Sequence, residues 1–89
     1  MKVIKLKNGE VDFLKNECRS DVLDKYLSNN HYDEKSSSFL LMLNNEEIEI
    51  IADELLLILN EKGLNENGEI NYLGKYIDDL IDKFNQYHT

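Results

Sequence analysis

Between Asn44 and Lys62, Ile48, Ile51, Ala52, Leu55, Ile58 and Leu59 recur three and four positions apart. That spacing puts all six on one face of a long helix. Asn44 offers its side-chain oxygen to the free N–H groups at the helix start. Glu47 follows it in capping-box spacing, and the acids Glu46 and Glu47 complement the positive end. Gly63 is expected to end the helix in a left-handed conformation, with Leu64 folding back on Leu59. Ile50, Leu56 and Leu57 lie off the main stripe, so the helix is apolar around most of its circumference. Such a helix is either central to the fold or part of an interface. After a Gly/Asn/Glu loop, Asn71 is placed to cap a last helix. Leu73, Ile77, Leu80, Ile81 and Phe84 face inward, while Lys75, Asp78, Asp79 and Asp82 face outward. Gly74 permits close approach of the two helices, which offsets its propensity cost of about 1 kcal/mol.

The N-terminal half reads differently. Asn8-Gly9 lies between two alternating runs, Val3–Lys7 and Glu10–Phe13. Asn-Gly suits a type I′ turn, which needs positive φ at both positions. A two-residue loop would set Lys7 opposite Glu10, Leu6 opposite Val11, Lys5 opposite Asp12 and Ile4 opposite Phe13. Ser20 or Asp21 then caps a short helix through Val22, Leu23, Tyr26 and Leu27. A competing reading runs one helix from Val11 through Cys18 to Leu27. Its stripe breaks at Arg19–Asp21, which favours the hairpin. Residues 29–38 read as an exposed polar loop, and Phe39–Leu43 as a strand buried on both faces that pairs with the hairpin. The expected fold class is α+β: an N-terminal β-hairpin plus a third strand in a small antiparallel sheet, a short helix between strands two and three, and two C-terminal helices packed on one face.

With 89 residues the chain is expected to be one small domain, 1–89, with room for one core and little for a deep cleft. The single cysteine, Cys18, makes no internal disulfide and reads as a small, half-buried apolar side chain. Met1–Lys7 is basic but lacks a following apolar stretch, and no run approaches the ~18 residues of a membrane span. These features point to a cytoplasmic location with no membrane association.

Charge is the most uneven property. The chain carries 18 acidic and 10 basic side chains, a formal net charge of −8. The basic groups Lys2, Lys5, Lys7, Lys15, Arg19, Lys25 and Lys35 match the acids of residues 1–35 one for one. Beyond them only Lys62, Lys75 and Lys83 stand against eleven acids. Such a field repels nucleic acid and attracts a basic partner; it also keeps a small protein soluble. Glu46, Glu49 and Asp53 share one face of the first long helix, and Asp78, Asp79 and Asp82 one face of the last. If the helices run antiparallel, these faces make a continuous negative surface, which speeds association with a cationic partner and sets its specificity. Tyr72 and Tyr76 lie one turn apart and read equally as interface anchors and as core edge.

Other constellations are weaker. The loop Gly63–Ile70 aligns with an EF-hand only by placing Gly63 and Gly74 where two essential oxygen ligands belong, so it reads as a helix–helix turn. His31 and His88 have no acid or nucleophile in recognisable spacing and read as surface histidines. No P-loop, GxSxG, HExxH or CxxC occurs. No enzyme activity, metal or cofactor is expected.

From Leu41 to Phe84 the chain resembles a small, uncharacterised bacterial family. The resemblance rests on Leu43, Glu46, Glu47, Ala52-Asp53, Leu55, Leu59, Gly63, Gly74, Ile77-Asp78 and the closing Leu80-Ile81-Asp82-Lys83-Phe84. Leu64 stands where the family has an aromatic residue. The resemblance implies the two-helix C-terminal region and brings no activity or site residue. The functional expectation is a non-catalytic acidic protein that inhibits or regulates a basic protein partner, as immunity proteins do. Alternatives are an acidic nucleic-acid mimic from a phage, or a homodimeric assembly domain using the apolar helix Glu46–Lys62. The expected contact residues are Glu46, Glu49, Asp53, Tyr72, Tyr76, Asp78, Asp79 and Asp82.

Overall fold

The computed structural model describes residues 1–28 and 30–88. They form an α+β protein with a three-stranded antiparallel sheet and four α-helices. Two compact units, Met1–Asn45 and Glu46–Thr89, divide the chain.

The first unit holds β1 (Lys2–Leu6), α1 (Asn8–Phe13) with a π-helical continuation over Leu14–Cys18, α2 (Asp21–Leu27), β2 (His31–Asp33) and β3 (Ser38–Leu43). The strand order is β1-β3-β2. In β1–β3, Ile4 pairs with Leu41 and Leu6 with Phe39. Ile4, Leu6, Leu41 and Leu43 are buried on one face of the sheet, as the period of two requires. On the other face Val3 pairs with Met42, and both are exposed.

The N-terminal hairpin is not formed. Asn8-Gly9 opens α1 instead of a turn. Lys7, in extended conformation, precedes the helix; its carbonyl accepts from the N–H groups of Glu10 (3.0 Å) and Val11 (3.1 Å). The Glu10 carboxylate in turn accepts from the Lys7 N–H at 2.8 Å. This acid in the first turn satisfies an orphan donor and complements the helix dipole. Val11, Leu14 and Cys18 are buried at 4 % exposure or less. Their i, i+3, i+7 spacing is helical, and the short Val11/Phe13 alternation mimics a strand. The competing helical reading of 11–27 is thus closer, with a break at Arg19, whose φ of 47° is left-handed. Ser20 then caps α2, its Oγ accepting from the Leu23 N–H at 3.3 Å. The short helix consequently precedes β2.

The chain's hairpin is β2–β3. The expected loop contains β2, where Tyr32 pairs with Phe39 and their rings meet edge-on at 5.0 Å. Within that segment His31, Tyr32 and the turn 34–37 are exposed, whereas Asn30, Asp33 and Ser38 are half-buried; Asn29 lies outside the described residues. Asp33 builds the turn by accepting from the Lys35 N–H at 3.2 Å and the Ser36 hydroxyl at 2.8 Å. β3 is central in the sheet but buried on one face only: Leu41 and Leu43 are covered, whereas Met42 is 60 % exposed.

The second unit consists of α3 (Asn45–Lys62) and α4 (Tyr72–Tyr87). The α3 residues that are buried are the six of the sequence stripe. In α4, Ile77, Leu80 and Phe84 are buried. Asn71 caps α4, accepting from the Gly74 N–H at 2.8 Å, while its side-chain amide donates to the Lys62 carbonyl at 3.0 Å. Both ends of the connecting loop are thereby fixed by one side chain. The helices are antiparallel: the end of α3 abuts Gly74 at the start of α4, and Glu49 meets His88. Gly63 is not left-handed, and Leu64 forms a backbone bridge with Ile70. A Cβ on Gly63 would lie 2.8 Å from the Gly74 Cα, so packing, not backbone conformation, demands this glycine. The left-handed residue of the loop is Gly68, at φ 81°.

Candidate partner-binding surface

The charge boundary coincides with the unit boundary. Residues 1–45 hold seven basic and seven acidic groups, and residues 46–89 hold three and eleven. The entire net charge of −8 therefore belongs to the α3–α4 unit.

Within that unit a groove of about 290 Å³ runs between the helices. Glu49, Ala52, Asp53 and Leu56 of α3 and Ile81, Asn85 and His88 at the C-terminal end of α4 line it. The spacings i, i+3, i+4, i+7 on α3 and i, i+4, i+7 on α4 select one stripe from each helix. Ala52, Leu56 and Ile81 make its apolar part; Glu49 and Asp53 supply carboxylates. His88 Nε2 stands 3.8 Å from Glu49 Oε2, with both side chains substantially exposed.

Asp78, Asp79 and Asp82 offer ligand oxygens within 4.8 Å of one another on α4. Lys75 Nζ reaches Asp79 Oδ1 at 3.0 Å. That hydrogen bond, with the charge of Asp79 beside it, raises the Lys75 pKa above its ordinary value. Asp78 lies one turn before Ile81 and so flanks the α4 wall of the groove, while Asp79 lies on the far side of the helix from Ile81.

The eight expected contact residues do not converge on one point. Glu49 and Asp53 lie in the groove, and Glu46 sits exposed one turn before Glu49. The three aspartates form a second cluster. Tyr72 and Tyr76 occupy the first turns of α4, next to the connecting loop; Tyr72 is 92 % exposed, whereas Tyr76 is half-buried. Sequence reasoning left Ile81 in the core and His88 on the open surface, and it did not single out Asn85. The antiparallel register places all three opposite Glu49 and Asp53, and only the i, i+4, i+7 spacing of 81, 85 and 88 hinted at it.

A second, apolar groove of about 460 Å³ lies on the open face of the sheet, lined by Met1, Val3, His31, Leu40 and Met42. Both histidines are exposed, as expected, whereas Cys18 is buried rather than half-buried. Among the described residues no helix is long and apolar enough to cross a membrane. No protein-family model, curated protein or solved structure matches the chain.

Proposed function

We propose that the protein is a non-catalytic binding protein that inhibits or regulates a basic protein partner, as an immunity protein does, and that Glu46–Thr89 makes the contact. One observation carries this reading: the full net charge of −8 is concentrated on a two-helix unit. A surface of that sign accelerates encounter with a cationic protein and disfavours nucleic acid. The groove carboxylates Glu49 and Asp53, with the separate aspartate cluster on α4, give the field a defined place to act.

The test is capture from host lysate at low salt, elution along a salt gradient, and repetition with the purified partner. One basic protein should elute at moderate salt, and Asp78→Lys with Asp82→Lys should release it at lower salt. Unchanged capture by the double variant refutes the acidic-surface mechanism. Displacement of the partner by DNA identifies the chain as a nucleic-acid mimic. A homodimer reading is favoured by Ile50, Leu56 and Leu57 on α3, which are themselves 38 %, 49 % and 57 % exposed. Concentration-dependent self-association abolished by Leu57→Lys is its signature.

A further inference from the structure

The α3–α4 groove joins two features that one kind of side chain satisfies together. Its apolar part, Ala52, Leu56 and Ile81, is a strip and not an enclosed cavity, and its carboxylates Glu49 and Asp53 stand one turn apart on α3. At about 290 Å³ it falls just below the ~300–1,000 Å³ of pockets that take drug-sized ligands. A long cationic side chain fits this description: the alkyl stem covers apolar surface while the charged head stays with anionic groups and water. Glu49 already faces a nitrogen base, His88 Nε2 at 3.8 Å, a distance too long for a hydrogen bond. Asn85 on the opposite wall carries a side-chain amide whose carbonyl is able to serve as a neutral acceptor.

We propose that this groove captures an arginine side chain of the partner, its stem on Ala52, Leu56 and Ile81 and its guanidinium between Glu49 and Asp53, in place of His88. The proposal rests on reading the α3–α4 unit as the contact surface for a basic protein, and it narrows that surface to one receptor for one residue type. Arginine is favoured over lysine because a guanidinium is planar, less strongly hydrated and able to donate to several acceptors at once. An ammonium is a compact, strongly hydrated charge. Two carboxylates and an amide carbonyl around an apolar strip match the first and not the second.

The probe is N-acetyl-arginine methylamide, titrated into the full chain and followed by amide and methyl NMR shifts, with the lysine and citrulline analogues as controls. Saturable shifts should centre on Asp53, Leu56, Ile81 and Asn85, with arginine saturating at lower concentration than lysine and citrulline giving no response. Asp53→Asn should weaken the arginine response roughly two- to five-fold, the size of an exposed ion pair. Leu56→Asn, which changes no charge, should reduce the preference for arginine over lysine. All the substituted side chains are on the surface, and an unchanged far-UV spectrum checks the fold. Equal responses to arginine and lysine, or shifts spread over Glu46, Asp78, Asp79 and Asp82, overturn the proposal. The two readings fail separately. Salt-sensitive capture that survives Asp53→Asn and Leu56→Asn, with no arginine response, removes the arginine receptor and leaves the acidic surface. A saturable arginine response without any basic protein captured supports the receptor and removes the wider reading.

Discussion

Replacing Gly74 by alanine should loosen the α3–α4 unit. The added Cβ would fall on the carbonyl oxygen of Gly63, with the carbonyl carbon 2.8 Å away. These are backbone atoms, which cannot rotate aside as a flexible side chain can. Overpacking of this kind costs about 1–3 kcal/mol. Moving the two segments apart also strains the hydrogen bonds that lock them, Asn71 N–H to the Gly63 carbonyl at 2.9 Å and Gly74 N–H to the Asn71 side chain at 2.8 Å, each worth about 1 kcal/mol net. Against this stands a helix-propensity gain of at most ~1 kcal/mol. The balance is a loss of roughly 2–4 kcal/mol, which for a domain of this size lowers the melting temperature by about 10–30 °C. Gly9→Ala is the matched control: Gly9 is also in the first turn of a helix, but nothing lies within 4 Å of its added Cβ, so the same substitution should be neutral or stabilising. Urea and thermal unfolding of both variants supply the comparison. A Gly74→Ala protein as stable as the parent would refute the close Gly63–Gly74 contact and the helix register built on it.

Phe84 is fully buried in α4, and Phe84→Ala should cost about 3–5 kcal/mol, measured by chemical denaturation; a loss below ~1 kcal/mol would place the ring outside the core. The Ser36 hydroxyl, above the other contacts, holds the Asp33 pKa below its ordinary value. Ser36→Ala should therefore raise the Asp33 titration midpoint in an NMR titration, and an unmoved midpoint would contradict the turn geometry. Because the folded pKa is lowered, Asp33 contributes stability above its unfolded value and loses that contribution as pH falls through the folded one. Lys75 has the opposite sign: its folded pKa is raised by Asp79, so its contribution is present below the unfolded value and disappears as pH rises through the folded one.

The C-terminal unit was legible because its signals agree across levels. The Ile48–Leu59 stripe is long enough to fix a helical period, the cap at Asn71 is local, and the apolar and charged faces of α4 separate cleanly. Residues 3–13 misled because two alternating pairs cannot separate a period of 2 from 3.6. Asn-Gly is a strong turn signal, yet both residues also fit the first turn of a helix, and β3, far along the chain, took β1 as its partner. That is tertiary pairing overriding local propensity. β2 was hidden by its polar surroundings, although Asp33 accepting from the second N–H beyond it is a recognisable turn signal. Of the site, the acidic ranks on α3 and α4 were readable from spacing. The opposition of Glu49 and Asp53 to Ile81, Asn85 and His88 was not, because it depends on the register of two helices fixed by the Gly63–Gly74 contact.

The most direct test of the acidic-surface account is the NMR footprint, on this chain, of the basic protein that it captures. The account predicts the largest shifts at Glu49, Asp53, Leu56, Ile81 and Asn85, extending to Asp78 and Asp82, and weakening as salt is raised. A footprint on Val3, Leu40 and Met42 that is insensitive to salt would contradict it and move the contact to the open face of the sheet.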